Sequence, residues 1–482
     1  MKSKNPVLLI TAALFFLGAI LASQAKPPAA AFRPNIILCM ADDQGWHEVS
    51  YYQHPHLRTP ALDQMASRGL RFDRFYAGAP MCTPTRGSVM TGRHPNRYGA
   101  FAPNHSIRPE EITIARILQQ AGYATGHFGK WHLGPSKAGS PTNPGAMGFD
   151  EWLSHDNFFG YNPPLSRNGA PPERIPGESS EVVVAEAIRF IGDAVKRGKP
   201  FFTVVWFGSP HEPYAAIDED MVPYHETLPP DVDPRLRHRL GEIVAMDRAI
   251  GQLRGYLAEA GLRDNTLFWY KSDNGAPSEG CYWSPLRGHK GQVYEGGIRV
   301  PGIIEWPAVI REPRVSSVPV VTSDILPTLC DLLNLPLPDR PLDGISLVPL
   351  IEGKLTERPA PIFFWPYDRQ RDQERAAGGW LDAEAQRGEI PTSKRYFIEF
   401  ENYRHPVART SGFNGPAAVV DNRYKLVVPG GGKPLELYDI VADTGEKNNL
   451  AAEHPDKVRT MEAALRDWQR QVEVSLTGAD YK

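Results

Sequence analysis

Three runs of apolar residues without polar alternation stand out along the chain: residues 35–40 (NIILCM), 201–207 (FFTVVWF) and 266–270 (TLFWY). Uninterrupted apolar runs of this length suit strands buried on both faces of a parallel sheet. Each run breaks off into a polar loop: Asp42-Asp43 after the first, Ser209-Pro210-His211 after the second, Asp273-Asn274-Gly275 after the third. Between them lie helical patterns. Residues 112–121 place Ile114, Ile117, Leu118 and Ala121 on one face, and residues 240–260 place Ile243, Val244, Ala249, Ile250, Leu253 and Leu257 in a similar stripe. Strands alternating with helices predict an α/β sheet covered by helices on both faces. In such sheets ligands bind beyond the carboxyl ends of the strands, which is where Asp42, Asp43, His211, Asp273 and Asn274 fall.

After Ile351 the texture changes. Residues 354–395 are charged and proline-rich with little periodicity, and read as a crossover and long loops. Residues 418–428, 435–438 and 457–474 then predict a few antiparallel strands and a closing helix. The expected organisation is a large domain over residues 34–351 and a smaller α+β subdomain over 352–482. The start of the chain has the form of a secretory signal: Lys2 and Lys4, an apolar run over 7–21, and Ser23-Gln24-Ala25 as a cleavage site. The run is short for a spanning helix, which needs about 20 residues. The expectation is a signal over residues 1–25, export to the periplasm or outside the cell, and no stable membrane insertion after cleavage.

Composition narrows the field. With 482 residues, 41% of them hydrophobic, the chain can bury a large core. A formal net charge of −3 leaves no electrostatic footprint for nucleic acid. Four cysteines are few for an exported chain, so disulfides do not frame the fold. Cys39 and Cys330 sit in apolar segments and read as structural; Cys281 is assigned no role.

The two strand-end pairs, Asp42-Asp43 and Asp273-Asn274, offer four hard oxygen donors without His or Cys, which favours Ca²⁺ or Mg²⁺ over Zn²⁺. Cys82-Thr83-Pro84-Thr85-Arg86-Gly87 reads as the start of a helix running through Ser88, with proline in its first turn. A helix start of this kind favours an anion beside Cys82. In Gly129-Lys130-Trp131-His132-Leu133-Gly134, an extended segment would point Lys130 and His132 to one face, pairing a fixed positive charge with a group that moves protons near neutral pH. His211 in Ser-Pro-His-Glu-Pro-Tyr and Lys290 in Arg-Gly-His-Lys-Gly complete the candidates, the latter followed by residues 294–301 (YEGGIRVP).

Cys82-x-Pro84-x-Arg86 with Met90-Thr91-Gly92-Arg93 resembles the signature of the type I, formylglycine-dependent sulfatases, with Val89 where that family more often has leucine. Gly129 to Gly134 and the Lys290 segment are similar to its other site motifs. Thr59 to Asp63, Ser323 to Thr328, Asp343 to Leu347 and Leu437 to Asp439 are similar to structural ones, so the resemblance covers nearly the whole mature chain. It implies an alkaline-phosphatase-like mixed sheet sandwiched by helices, with a smaller C-terminal α+β subdomain. It also implies that a formylglycine-generating maturase oxidises Cys82 to Cα-formylglycine, whose hydrate attacks sulfur. One Ca²⁺ per chain would be held by Asp42, Asp43, Asp273 and Asn274, with position 82 and the substrate's sulfate on the same ion. Arg86 would support the hydrate and the metal ligands. Lys130 would bind the hydrate and sulfate, and His132 would deprotonate the second hydroxyl. His211 and Lys290 would contact the ester and protonate the leaving oxygen.

The wider pattern is similar to the N-acetylgalactosamine-6-sulfatase and bacterial polysaccharide sulfatase branches, which implies a sulfated carbohydrate substrate. Trp46, His47, Tyr161, Trp283 and Arg287 lie near the site loops as candidate sugar contacts, and His289 as a further one. Two rivals stand beside this reading. A phosphomonoesterase or phosphodiesterase of the same superfamily would typically carry two transition metals and several His ligands, whereas the strand-end pairs here contain no histidine; within the formylglycine branch, phosphonate monoester or phosphodiester hydrolysis stays open. A non-catalytic glycan-binding relative would need no Cys82, Lys130 or His132.

Overall fold

A computed structural model describes residues 33–103, 105–366, 384, 390, 392–394, 396–398 and 415–481. The signal segment expected at 1–25 lies outside the described residues. The apolar runs form three adjacent strands, Thr266–Ser272, Asn35–Ala41 and Phe201–Trp206, all parallel. Ala124–Lys130 and Glu151–His155 extend the parallel block on the far side of Phe201–Trp206. Antiparallel strands close both margins: Gly302–Glu305 pairs with Thr266–Ser272, and Pro164–Arg167 with Glu151–His155, within a sheet of ten strands.

The alternation of side chains along Asn35–Ala41 shows why no polar residue follows Asn35 in the run. Ile36, Leu38 and Met40 enter one core, with Val89, Met90, Ile114, Leu118, Leu326 and Leu329 from the helices Cys82–Thr91, Ile114–Gln120 and Ile325–Leu332. Ile37, Cys39 and Ala41 enter the opposite core, with Val183, Ala187, Ile191, Ile243, Ile250 and Leu253 from Ser179–Lys196 and Arg235–Glu259. Each strand face has its own layer of helices, so a polar residue on either face would lose its water. The fold is the helix-sandwiched α/β sheet that the pattern predicted, and its antiparallel margins make it the mixed sheet that the resemblance implied.

The C-terminal segment forms a separate four-stranded antiparallel sheet, closed by the helix Pro455–Leu476. Its first strand, Ile362–Phe364, falls in the stretch expected to be loops. Pro359 and Pro361 precede the strand and Pro366 follows it, so proline density hid a three-residue apolar run that pairs with Ala417–Val420. Among the described residues no helix is long and apolar enough to cross a membrane.

Candidate active site

The carboxyl ends of four neighbouring parallel strands lie on one edge of the sheet, and each delivers a predicted residue. Asn35–Ala41 leads to Asp42 and Asp43, Thr266–Ser272 to Asp273 and Asn274, Phe201–Trp206 to the His211 loop, and Ala124–Lys130 ends on Lys130 itself. Backbone bonds tie the loops together: the Asp42 N–H donates to Ser209 O and the Asp273 N–H to Ala41 O. Asp43 has φ 69° and His132 φ 55°, a left-handed backbone that few non-glycine residues adopt, Asp and His among the more tolerant. The chain therefore turns at His132 and is not extended from Lys130 to His132, as the motif suggested. Electrostatic coupling still links the two residues.

Three cations face three carboxylates in this buried space. Lys130 Nζ lies 2.6 Å from Asp42 Oδ2, and Lys290 Nζ 2.7 Å from Asp43 Oδ2. Arg86 donates through Nε and Nη2 to Asp273 Oδ2 at 3.1 and 2.7 Å, and through Nη1 to the Lys130 carbonyl at 3.0 Å. Asn274 Nδ2 donates to Asp43 Oδ1 at 2.7 Å, and the Asp43 N–H donates to Asp273 Oδ1. Burial alone would raise Asp43, but Lys290, then His211 and Lys130, override it and hold the carboxyl well below the usual range. Asp273 goes the other way: burial and the Asp42 charge push it up to about 6 despite Arg86.

Two oxygens in this cluster have no hydrogen bond. Asp42 Oδ1 and Asn274 Oδ1 are buried and accept from no donor, the former lying 3.5 Å from Arg86 Nη2. Buried polar atoms are nearly always paired. Two orphaned oxygens among three carboxylates and an amide are the donor set a hard divalent cation takes. The residues present thus fit such an ion. His211 also approaches: its Nε2 is 3.6 Å from Asp43 Oδ2, and ligating atoms of Asp42, Asp43 and His211 all come within 4.8 Å of one another.

Cys82 opens the helix Cys82–Thr91, every residue of which is buried. Burial pushes its thiol up, opposed by Lys130 and Lys290, so the side chain is a protonated thiol and a weak nucleophile as encoded. His211 Nδ1 faces the Glu212 carbonyl at 2.6 Å, which assigns the proton to Nδ1. Nε2 is then the acceptor for Lys290 Nζ at 3.2 Å. Burial and the Lys290 charge lower His211 to about 3. The structure brings all of Asp42, Asp43, Arg86, Lys130, His211, Asp273, Asn274 and Lys290 into one bonded cluster. The charges of Lys130, Lys290, Asp42 and Asp273 act on Cys82, and those of Lys130 and Arg86 on His132.

A family model described as Sulfatase matches residues 34–335. The chain is 33% identical to human arylsulfatase A over 375 residues, covering 70% of this chain and 71% of that protein. It is 33% identical to human N-acetylgalactosamine-6-sulfatase over 375 residues, covering 70% and 69%. The chain belongs to the sulfatase family. It is an enzyme of the sulfuric ester hydrolase type. Among solved structures, Ps i-CgsB in complex with k-i-k-neocarrahexaose superposes with a TM-score of 0.75 at 25% identity, covering 90% of this chain and 92% of that one.

Around the sulfatase cluster the candidate sugar contacts divide. Tyr161 is 46% exposed and free to meet a ligand. Trp283 is half-buried against His54 and His56. Trp46 stacks on Tyr52 at 3.8 Å and donates to Asp73 O, and His47 is buried with Nε2 on Gly280 O, so both are held by packing. Arg287 is engaged by the C-terminal sheet, donating to Tyr438 Oη at 2.6 Å and lying 3.3 Å from Glu436. His289 Nδ1 meets the Lys290 carbonyl at 2.9 Å. Two residues that the sequence reading missed also reach the site loops. Phe158 stacks on the His211 ring at 5.0 Å, and Arg239 projects from the helix Arg235–Glu259. The available signal for Arg239 was its place on the helix stripe, one turn before Ile243, where a charge faces the core.

Proposed function

We propose that this sulfatase is an exported, formylglycine-dependent enzyme that removes sulfate from a sulfated carbohydrate with one bound Ca²⁺. The observation that carries the reading is the convergence of Cys82, the two strand-end acid pairs, the buried Arg86 and Lys130 and the partly buried Lys290 on one sheet edge. Asp42, Asp43, Asp273 and Asn274 would hold the ion with position 82. Oxygen donors outnumber the single imidazole there, which favours Ca²⁺ over a transition metal. Once position 82 is oxidised and hydrated, the two groups together supply an activated hydroxyl, a second hydroxyl able to expel sulfate, and charge neutralisation at the ester.

The chain's own residues do the rest. Lys130 and Lys290 sit on Asp42 and Asp43 and present their ammonium groups to an incoming anion. Arg86 holds Asp273 and the Lys130 carbonyl, fixing the relative position of two strand ends. His211, with its proton on Nδ1, accepts from Lys290 at Nε2, so a proton destined for the leaving alcohol is available from this pair. His132 is held neutral by burial and by the charges of Lys130 and Arg86, as a base must be. Burial that keeps the Cys82 thiol protonated speaks against direct thiolate attack at this position. Residues 34–351 would carry this chemistry and 352–482 would form the subdomain behind it. A carbohydrate substrate draws support from the sugar-bound relative of the same fold.

The test is the mass of the tryptic peptide 75–86 from protein made in its native host, together with sulfate release from an aryl sulfate and a panel of sulfated glycans. An aldehyde at position 82 with sulfate release supports the reading. Unmodified cysteine with no release overturns it in favour of a glycan-binding relative. Faster turnover of a phosphonate monoester or phosphodiester than of any sulfate ester would move the assignment to that rival.

A further inference from the structure

Arg239 lies beneath the site, fully buried, on the helix Arg235–Glu259. Its guanidinium hydrogen-bonds two strand-end loops and packs against a third. Nη2 donates to the Asp43 carbonyl at 2.6 Å, and Nη1 to the Pro210 carbonyl, the residue before His211, at 2.8 Å. Nε and Nη2 also donate to the Glu48 carboxylate at 2.7 and 2.6 Å. Glu48 in turn accepts from the Gly45 N–H at 2.7 Å and so stiffens the turn just after Asp43. Gly280, on the loop between Asn274 and Lys290, packs so close that an added Cβ would come within 2.8 Å of Arg239 Nε. The Tyr214 ring covers the guanidinium at 5.6 Å.

We infer that Arg239 is a positioning residue for the sulfatase reaction: one planar fork fixes the Asp43 and His211 loops relative to each other, with the loop leading to Lys290 packed against it. The inference rests on the reading of the site given above. A guanidinium is suited to the task because its donors diverge in one rigid plane, whereas an ammonium on a flexible stem cannot serve two carbonyls and a carboxylate at fixed angles. Asp43 stands in a left-handed conformation, so its carbonyl and side chain are set by what binds them and not by local preference.

Arg239→Lys separates this role from simple structural support, since lysine retains the ion pair with Glu48 but not the simultaneous reach to both carbonyls. Gly280→Ala perturbs the same guanidinium without altering its chemistry, at a position whose φ suits alanine. Each variant is purified as the full chain and characterised by thermal unfolding with and without Ca²⁺, by kcat and KM on an aryl sulfate, and by exchange of the metal. Loss of groups that orient metal ligands typically costs about 10–100-fold in metal affinity or activity. We expect Arg239→Lys to lower kcat per folded molecule and Ca²⁺ affinity by such factors with a KM change below about threefold, whatever the apo protein loses in melting temperature from the unpaired carbonyls; Gly280→Ala should show a smaller loss of the same kind. Wild-type kcat and Ca²⁺ affinity in Arg239→Lys overturn the inference. So does a fall in apo melting temperature with kcat per folded molecule unchanged, which is the mark of a purely structural residue. Should His211→Ala keep wild-type turnover, the reading of the site fails instead, and the Ca²⁺ affinity of Arg239→Lys then decides the positioning role alone.

Discussion

Glu242, one turn beyond Arg239 on the same helix, offers a sharp test of how the site loops are held. It is 5% exposed, and its Oε1 accepts the Ala215 N–H at 2.6 Å, four residues after His211. Burial pushes its carboxyl from 4.5 up to about 8; the nearby charges of Glu178 and Asp42 add to this, and the Ala215 N–H and Arg239 oppose it. The folded chain therefore binds a proton between those values that the unfolded chain has released. Stability from this group is complete below pH 4.5 and is lost as pH rises through about 8. The interval spans roughly 3.5 units, so at about 1.4 kcal/mol per unit the ionised form costs on the order of 5 kcal/mol, as an upper bound. Glu242→Gln keeps an acceptor oxygen for Ala215 and cannot ionise. Urea unfolding at pH 5, 7 and 9 should give two curves that meet near pH 5 and diverge by several kcal/mol at pH 9, the Gln variant being the more stable, with unchanged m. Parallel pH profiles within about 0.5 kcal/mol would refute the reasoning, because they would mean that Glu242 carries its charge in the fold at no cost.

Further outcomes follow from other parts of the structure. Cys82→Ala should abolish sulfate release while the circular dichroism and melting temperature stay close to wild type; near-wild-type turnover would remove position 82 from the chemistry. Prolonged chelation should remove activity and Ca²⁺ restore it, since the orphaned Asp42 and Asn274 oxygens call for a hard cation; recovery with Zn²⁺ alone would point to the phosphatase-like rival. Lys425 is fully buried between Glu295 and Glu446, at 2.9 and 2.8 Å, so Lys425→Met strands two carboxylates and should cost about 3–5 kcal/mol in urea unfolding. Gly129→Ala should lower the yield of folded protein sharply or cost more than about 4 kcal/mol, because φ is 107° and an added Cβ would lie 1.8 Å from the Trp206 carbonyl; a normal melting curve would show that the strand ends can part there.

The strand-end acids were legible because their reason follows from the sheet. An apolar run ending in Asp-Asp or Asp-Asn says that a buried strand delivers carboxylates to its carboxyl end, and the structure puts them there. The closing helix was visible in its periodicity, whereas Ile362–Phe364 was not, because a three-residue strand between prolines has no period to detect and exists only through its pairing with Ala417–Val420. Arg287 shows the same limit from the other side. Its place next to the Lys290 motif suggested a ligand contact, and the fold instead brings Tyr438 and Glu436 to it from some 150 residues away.

What the sequence determined by itself was the kind of chemistry and the strands that carry it, because residue type and periodicity act over a few positions. What only the tertiary structure decided was which charges meet. Lys130 chose Asp42, Lys290 chose Asp43 and Arg86 chose Asp273 across separations of 88, 247 and 187 residues. Arg239 became the hub of three loops, and the tautomer of His211 was set by the carbonyl of its own neighbour once Lys290 arrived on the other side. Those pairings depend on distances of a few ångströms between strand ends, and such distances exist only after the sheet has assembled and water has left the edge between them.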